Sequence, residues 1–226
     1  MRGSPGRIQQ LVVLEGRAPS EIEALAAAAA VEIRRVDALG LADICSPALA
    51  RGVVAVATPP AEHTIEALIE GEAEGGRRVL VALDGVQDPH NLGAILRSAE
   101  FFGAAGAFWP RDRAAGVTPV AVRTSAGATE RLPLARVTNL ARALELAKDA
   151  GYWVIGTVVD DGRSLREICA QGLPERLVVV LGSEEKGIRR LTRERCDFLA
   201  TIPRSGEIGS LNVSAAGAVC LAFLSR

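Results

Sequence analysis

From Arg77 to the C-terminus, short apolar runs alternate with helical stretches, and this alternation limits the folds open to the chain more than any other feature. Val79 to Leu83, Ala104 to Trp109, Tyr152 to Val158, Arg176 to Leu181 and Phe198 to Ile202 have the length and apolar character of buried strands. Leu92 to Phe102, Leu140 to Ala150, Leu165 to Gln171 and Val213 to Leu224 read as helices. Strands without polar alternation need cover on both faces, and helical connections between strands favour parallel pairing. The expectation is an α/β domain over residues 77–226, built on a mainly parallel sheet.

Upstream, Leu11 to Leu14, Ser20 to Ala30, Val31 to Val36 and Gly52 to Ala57 read as strand, helix, strand and strand, a small α/β module over residues 1–57. Thr58-Pro59-Pro60 interrupts regular structure. The acidic stretch Glu62 to Glu74, ending in Gly75-Gly76, reads as a short helix within a linker over 58–76. With 226 residues, 49% of them hydrophobic, the chain can bury a substantial core. Its longest apolar run in the N-terminal region, Ala24 to Val31, falls far short of the roughly 20 residues that span a membrane. No charged-then-apolar leader opens the sequence, so residence in the cytoplasm is expected.

Four cysteines, Cys45, Cys169, Cys196 and Cys220, lie far apart without a Cys-x-x-Cys pair, and only His63 and His90 could join them as soft ligands. No metal site or disulfide is expected, and the thiols read as small buried hydrophobes. The net charge of -1 argues against binding nucleic acid by bulk charge. Of the 26 basic residues, 24 are arginine, whose planar fork suits phosphate and base recognition; drift in composition accounts for the bias equally well.

Three segments carry chemistry. Ile202 to Ser214, reading Ile-Pro-Arg-Ser-Gly-Glu-Ile-Gly-Ser-Leu-Asn-Val-Ser, sets permissive glycines and short polar side chains directly before an apolar helix. A loop of this composition that ends at a helix start can hold a ligand on free backbone N–H groups. The second segment runs from Leu83 to Ala99 and the third from Val178 to Ile188, where Gly182 closes an apolar strand and lets a ligand approach the backbone. The Gly-x-Gly-x-x-Gly turn of nicotinamide enzymes, the phosphate loop of nucleotide hydrolases and the Gly-x-Ser-x-Gly elbow of α/β hydrolases are missing from the sequence.

Asp88-Pro89-x-Asn91-x-Gly93-x-x-x-Arg97, Gly182-x-Glu184-x-x-Gly187 and Ser210-Leu211-Asn212-Val213-Ser214 occur in that order. In this they resemble the SpoU/TrmH class of RNA ribose 2'-O-methyltransferases. The likeness spans roughly Arg77 to Arg226, and is nearest to the bacterial branch acting on a guanosine of large-subunit ribosomal RNA. It implies a C-terminal trefoil knot, S-adenosyl-L-methionine as methyl donor, RNA as substrate, a homodimer and no metal. It also implies that the N-terminal module is a ribosomal-protein-like RNA-binding fold (L30e-like), here either truncated at its start or shortened. The resemblance carries cofactor binding to Thr157, Leu181, Gly182, Ile202, Ser210, Leu211 and Asn212, and catalysis to Asn91, Arg97, Glu184, Ser210 and Asn212.

Asn91 and Arg97 stand about a turn and a half apart on one expected helix, so both can face one site. Arg97 has two open roles: base for the 2'-hydroxyl, or clamp on the adjacent phosphate that polarises it. The first asks a guanidinium to give up a proton it holds tightly. Two other readings keep the fold: a transfer-RNA ribose methyltransferase, and an RNA-binding ribosome-assembly protein without turnover. The second has no need of the full set of motif residues.

Overall fold

The computed structural model describes residues 5–16, 20–46, 52–71 and 76–225, which form two compact units dividing between Pro60 and Ala61. The Glu72 to Gly75 portion of the expected linker lies outside the described residues.

In the first unit β1 (Ile8–Leu14) is the centre of a three-stranded sheet, parallel to β2 (Glu32–Val36) and antiparallel to β3 (Val53–Ala57). Side chains alternate across a strand, so Leu11 and Val13 pack with Ala26 of α1 (Ser20–Ala28), while Val12 packs with Val36 and with Leu41 of α2 (Ala38–Ile44). The second helix was not expected from the sequence. Its signal is Asp37, whose carboxylate accepts the Gly40 N–H over 2.8 Å as an N-cap.

The second unit holds a seven-stranded, wholly parallel sheet. Its strands are β4 (Arg78–Asp84), β5 (Gly106–Pro110), β6 (Leu134–Val137), β7 (Trp153–Thr157), β8 (Arg163–Ser164), β9 (Arg176–Gly182) and β10 (Phe198–Thr201), in the order β6-β5-β4-β9-β7-β10-β8. The central pair explains the apolar runs. Val79, Val81 and Leu83 face one core and Leu80 and Ala82 the other, and all five are buried.

The first of these cores is covered by α4 (Pro89–Phe101), α5 (Pro119–Thr124), α7 (Leu165–Ala170) and α9 (Val213–Leu224). The second is covered by α3 (Ile65–Glu70) and α6 (Leu140–Asp149), and the short α8 (Arg190–Arg193) packs against α6. In α4 the buried Leu92, Ile95, Leu96 and Ala99 recur at helical spacing. Gly93 of the same helix lets α5 come close, since a Cβ there would lie 2.5 Å from the Ala121 carbonyl.

The segment from His63 to Glu70, expected as linker, packs as part of this second unit. Thr64 caps α3 by accepting from Ala67, His63 pairs with Ala135, and Ile65, Leu68 and Ile69 are buried. Arg78 locks the helix end by donating to the Leu68 carbonyl and to the Tyr152 hydroxyl, both over 2.7 Å. Three apolar residues at i, i+3 and i+4 make an amphipathic stripe, which the acidic composition obscured. The strands β6 and β8 and helix α5 were also not anticipated, being too short to establish a period.

Candidate active site

The site forms where β4, β9, β7 and β10 end, at the carboxyl edge of a parallel sheet, the usual place for ligands in such folds. Each motif is delivered by a different strand end. After β4, Asp88 accepts the His90 N–H over 2.9 Å and Pro89 occupies the first turn, so α4 starts with Asn91 near its mouth. After β9 the chain reverses in a tight turn. Ser183 and Gly187 exchange backbone hydrogen bonds of 3.1 and 2.9 Å, and Glu184 stands at the tip. After β10 the loop from Ile202 to Asn212 runs to α9, where the Asn212 side chain accepts the Ser214 N–H over 2.9 Å.

Folding joins three residues from the three motifs. Asn91 Nδ2 donates to Glu184 Oε1 over 3.1 Å, Asn212 Nδ2 donates to the same oxygen over 2.6 Å, and Asn212 Nδ2 also reaches Asn91 Oδ1 at 3.0 Å. One carboxylate oxygen thus receives two amide donors, and hydrogen bonds to an ionised acceptor are the stronger kind. Behind the turn, the buried Asp84 accepts from the Arg189 backbone over 2.8 Å and pairs with its guanidinium. The end of β4 therefore positions the segment that follows Glu184.

Beside this triangle lies a cavity of about 380 Å³, whose walls include Thr157, Gly182, Ile202, Ser210 and Leu211. Arg204 lines it as well and ties its outer loop down, donating to the Gly209 carbonyl over 2.6 Å and pairing with Asp160 at 3.2 Å. The walls are largely aliphatic and backbone, with Glu184 at one margin, and so suit a molecule with an apolar body and a cationic centre. S-adenosyl-L-methionine, with its adenine, its sulfonium and its polar tail, has that chemistry.

Of the seven residues expected around the cofactor, five line the cavity. Leu181 is buried in the core under α9, where a Cβ on Gly217 would meet it at 2.8 Å, and Asn212 is in the hydrogen-bonded triangle. Thr157 spends its hydroxyl on the Val180 carbonyl across the sheet, 2.9 Å away, and offers the cavity its remaining surface. The reason for Gly182 also differs from the expected one. A Cβ there would sit 2.2 Å from the Gly187 carbonyl carbon, so the Ser183–Gly187 turn itself demands glycine.

Arg97 is not brought to Asn91. It is exposed, makes no hydrogen bond or ion pair among the described residues and lines neither this cavity nor the neighbouring one. Six residues of α-helix turn the chain by about 240° beyond a full turn, which points the two side chains apart. Ser210 lines the cavity but makes no side-chain hydrogen bond among the described residues. His90 faces Thr124 Oγ1 at 3.5 Å rather than the triangle.

None of the cysteines lines either cavity, and burial raises the Cys196 and Cys220 thiols to about 12. Among the described residues no group of three or more His, Cys, Asp or Glu could hold a metal ion, and no helix is long and apolar enough to cross a membrane. A second cavity of about 370 Å³ adjoins the first and shares Ser183, Glu184, Gly187 and Val213 with it. Its lining by Gln87, Arg113 and Lys186 was not foreseen, because these residues belong to loops whose spacing has no period.

A parallel sheet carrying this three-motif site defines a class, and comparison with known proteins identifies it. The chain belongs to the SpoU rRNA methylase family, which it matches over residues 78–222. It is 44% identical over 223 residues to the 23S rRNA (guanosine-2'-O-)-methyltransferase RlmB of Pseudomonas putida, covering 96% of this chain and 88% of that one. With the protein of the same name from Pseudomonas aeruginosa it is 40% identical over 232 residues, covering 100% and 91%. Among solved structures it resembles the SpoU methyltransferase AviRb of Streptomyces viridochromogenes in complex with the cofactor AdoMet. That match has a TM-score of 0.78 at 25% identity, and covers 99% of this chain and 84% of that one.

Proposed function

We propose that this chain transfers a methyl group from S-adenosyl-L-methionine to the ribose 2'-hydroxyl of a guanosine in 23S ribosomal RNA, in the cytoplasm and as a homodimer. The observation that carries the reading is the triangle of Asn91, Glu184 and Asn212 at the margin of an apolar cavity of the right size for the donor. The likeness to guanosine-2'-O-methyltransferases over 88% and 91% of their length supports the substrate.

The bound donor supplies an electrophilic methyl on a sulfonium. The chain's own residues hold the two reactants in line, and orientation of this kind can contribute about 7–11 kcal/mol of a barrier. Gly182, Ile202 and Leu211 shape the donor's cavity, while Glu184, fixed by two amides, places a negative charge at the wall it shares with the second cavity. Asn91 and Asn212 set the rotamer of that carboxylate. Ser210 supplies a free hydroxyl on the cavity wall.

Arg97 is base for the 2'-hydroxyl or clamp on the adjacent phosphate, and since it lines neither cavity of its own chain, either role depends on the dimer to bring it to a site. It shares the outer face of α4 with Phe101, four residues on and 77% exposed, and α9 exposes Phe223 on the C-terminal side. These apolar surfaces support a dimer contact on α4 and α9, which would set Arg97 close to the interface. Packing of α9 against both α4 and β9 is compatible with threading of the C-terminal segment as a trefoil knot.

The test is transfer of labelled methyl to ribosomal and transfer RNA transcripts, followed by alkaline digestion. A methylated 2'-oxygen cannot attack its own phosphate, so the expected product is label in alkali-resistant dinucleotides from 23S RNA. Cofactor binding without transfer to any RNA or ribosomal particle would favour the assembly-protein reading, and label in transfer RNA alone would change the substrate. Light scattering should give twice the chain mass.

A further inference from the structure

The second cavity has a use that the methyl donor does not fill. It lies between the segment Asp84 to Asn91, the turn from Ser183 to Arg189, and Arg113 of the loop after β5. At about 370 Å³ it falls within the usual range of small-molecule sites, roughly 300–1,000 Å³. It meets the donor's cavity along the wall formed by Ser183, Glu184, Gly187 and Val213. A ribose seated at that wall stands between the donor's cavity and the second one.

Arg113 distinguishes this cavity from a simple cleft. Its φ is +57°, a left-handed conformation that non-glycine residues rarely adopt, and its side chain makes no hydrogen bond or ion pair among the described residues. Strain of this kind persists where the surrounding structure holds it, often at ligand sites. The other arginine of the cavity, Arg189, is committed to Asp84.

We infer that the second cavity receives the base of the target nucleotide and that Arg113 reads it as guanine. A guanidinium fork matches the paired acceptors O6 and N7 of guanine, whereas adenine presents an amino donor in place of O6. Asp84, Asp88, Glu184 and Glu185 line the same cavity together with Arg113, Lys186 and Arg189. Four acids against three bases disfavour a phosphate there, but leave acceptors for guanine N1–H and its 2-amino group, both of which adenine lacks. A base extruded from its stack is what such a pocket accommodates.

The inference rests on the proposed methyltransferase reading, so the test measures binding and turnover separately. The trinucleotides UGU and UAU are titrated into the full chain in the presence of S-adenosylhomocysteine, which allows no transfer. The wild type should bind UGU about tenfold more tightly, within the range of discrimination of one good bidentate contact. Arg113→Gly, which keeps the left-handed backbone accessible, should bind the two alike with unchanged affinity for S-adenosylhomocysteine. Arg113→Lys, which keeps the charge and loses the fork, should lose most of the preference.

Equal binding of the two trinucleotides by the wild type, binding of neither, or an undiminished preference in Arg113→Gly overturns the assignment. Methyl transfer to ribosomal RNA is followed in parallel. A UGU preference with no transfer to any RNA refutes the proposed function and leaves the pocket; transfer without the preference does the reverse.

Discussion

Asn212 donates its side-chain amide to Glu184 Oε1 over 2.6 Å, although the two residues stand 28 positions apart on separate loops. Through this contact the loop that walls the donor's cavity is fastened to the turn after β9, with Asn91 as the third member. Residues acting as one unit show non-additive losses. Asn212→Ala and Glu184→Gln should each slow single-turnover methyl transfer about 100-fold, with the double variant only a few fold slower than either. Asn212→Ala should also weaken cofactor binding. Losses that multiply in the double variant would show that the two residues act independently.

Arg97 stands apart from the triangle on the outer face of α4. Its proposed role on the 2'-hydroxyl predicts that Arg97→Ala abolishes methyl transfer, and because Arg97 lines neither cavity, cofactor affinity measured by calorimetry should stay within a few fold of the wild type. Retained turnover would remove Arg97 from the mechanism. A large loss of cofactor affinity would instead show that the helix had been disturbed.

Gly182 is held to glycine by the turn it enters, since an added Cβ would lie 2.2 Å from the Gly187 carbonyl carbon and 2.4 Å from the Ile188 nitrogen. Backbone cannot yield as a flexible side chain would. Gly182→Ala should cost about 1–3 kcal/mol in urea denaturation, as overpacking does, and weaken cofactor binding by moving Glu184. Gly76→Ala, where a Cβ would meet nothing within 4 Å, is the matched substitution expected to cost little.

Cys196 and Cys220 are raised by burial, as their largest cause, from 9.0 to about 12. The native chain then keeps protons that the unfolded chain releases. Their contribution to stability is complete below pH 9 and is lost as the pH rises toward 12, with a slope of about 1.4 kcal/mol per pH unit for each thiol in that window. Denaturation midpoints should fall between pH 9 and 10.5, and Cys220→Ala should make that fall shallower. An unchanged slope in the variant would mean that other groups govern the alkaline limit.

The fold's class was legible because strands covered on both faces must be apolar throughout, and Val79 to Leu83 and Arg176 to Leu181 show this directly. The motif residues were legible through the resemblance of their three segments to one family, and their places at helix starts follow from local chemistry, since Asp88 and Asn212 cap the helices after them. The short segment around α3 was misplaced as a linker because three apolar residues in an acidic stretch acquire meaning only against the sheet they cover.

What the sequence could not determine is which loop residues meet. Parallel strands far apart in the chain become neighbours by sheet order, β4 beside β9 and β7 beside β10, and that order alone places Glu184 between Asn91 and Asn212. The same order makes two cavities share a wall and brings Arg113 to the second, whereas helical rotation turns Arg97 away from Asn91. Residue type and local spacing fix what a segment can become; long-range packing, which has no period along the chain, decides what it touches.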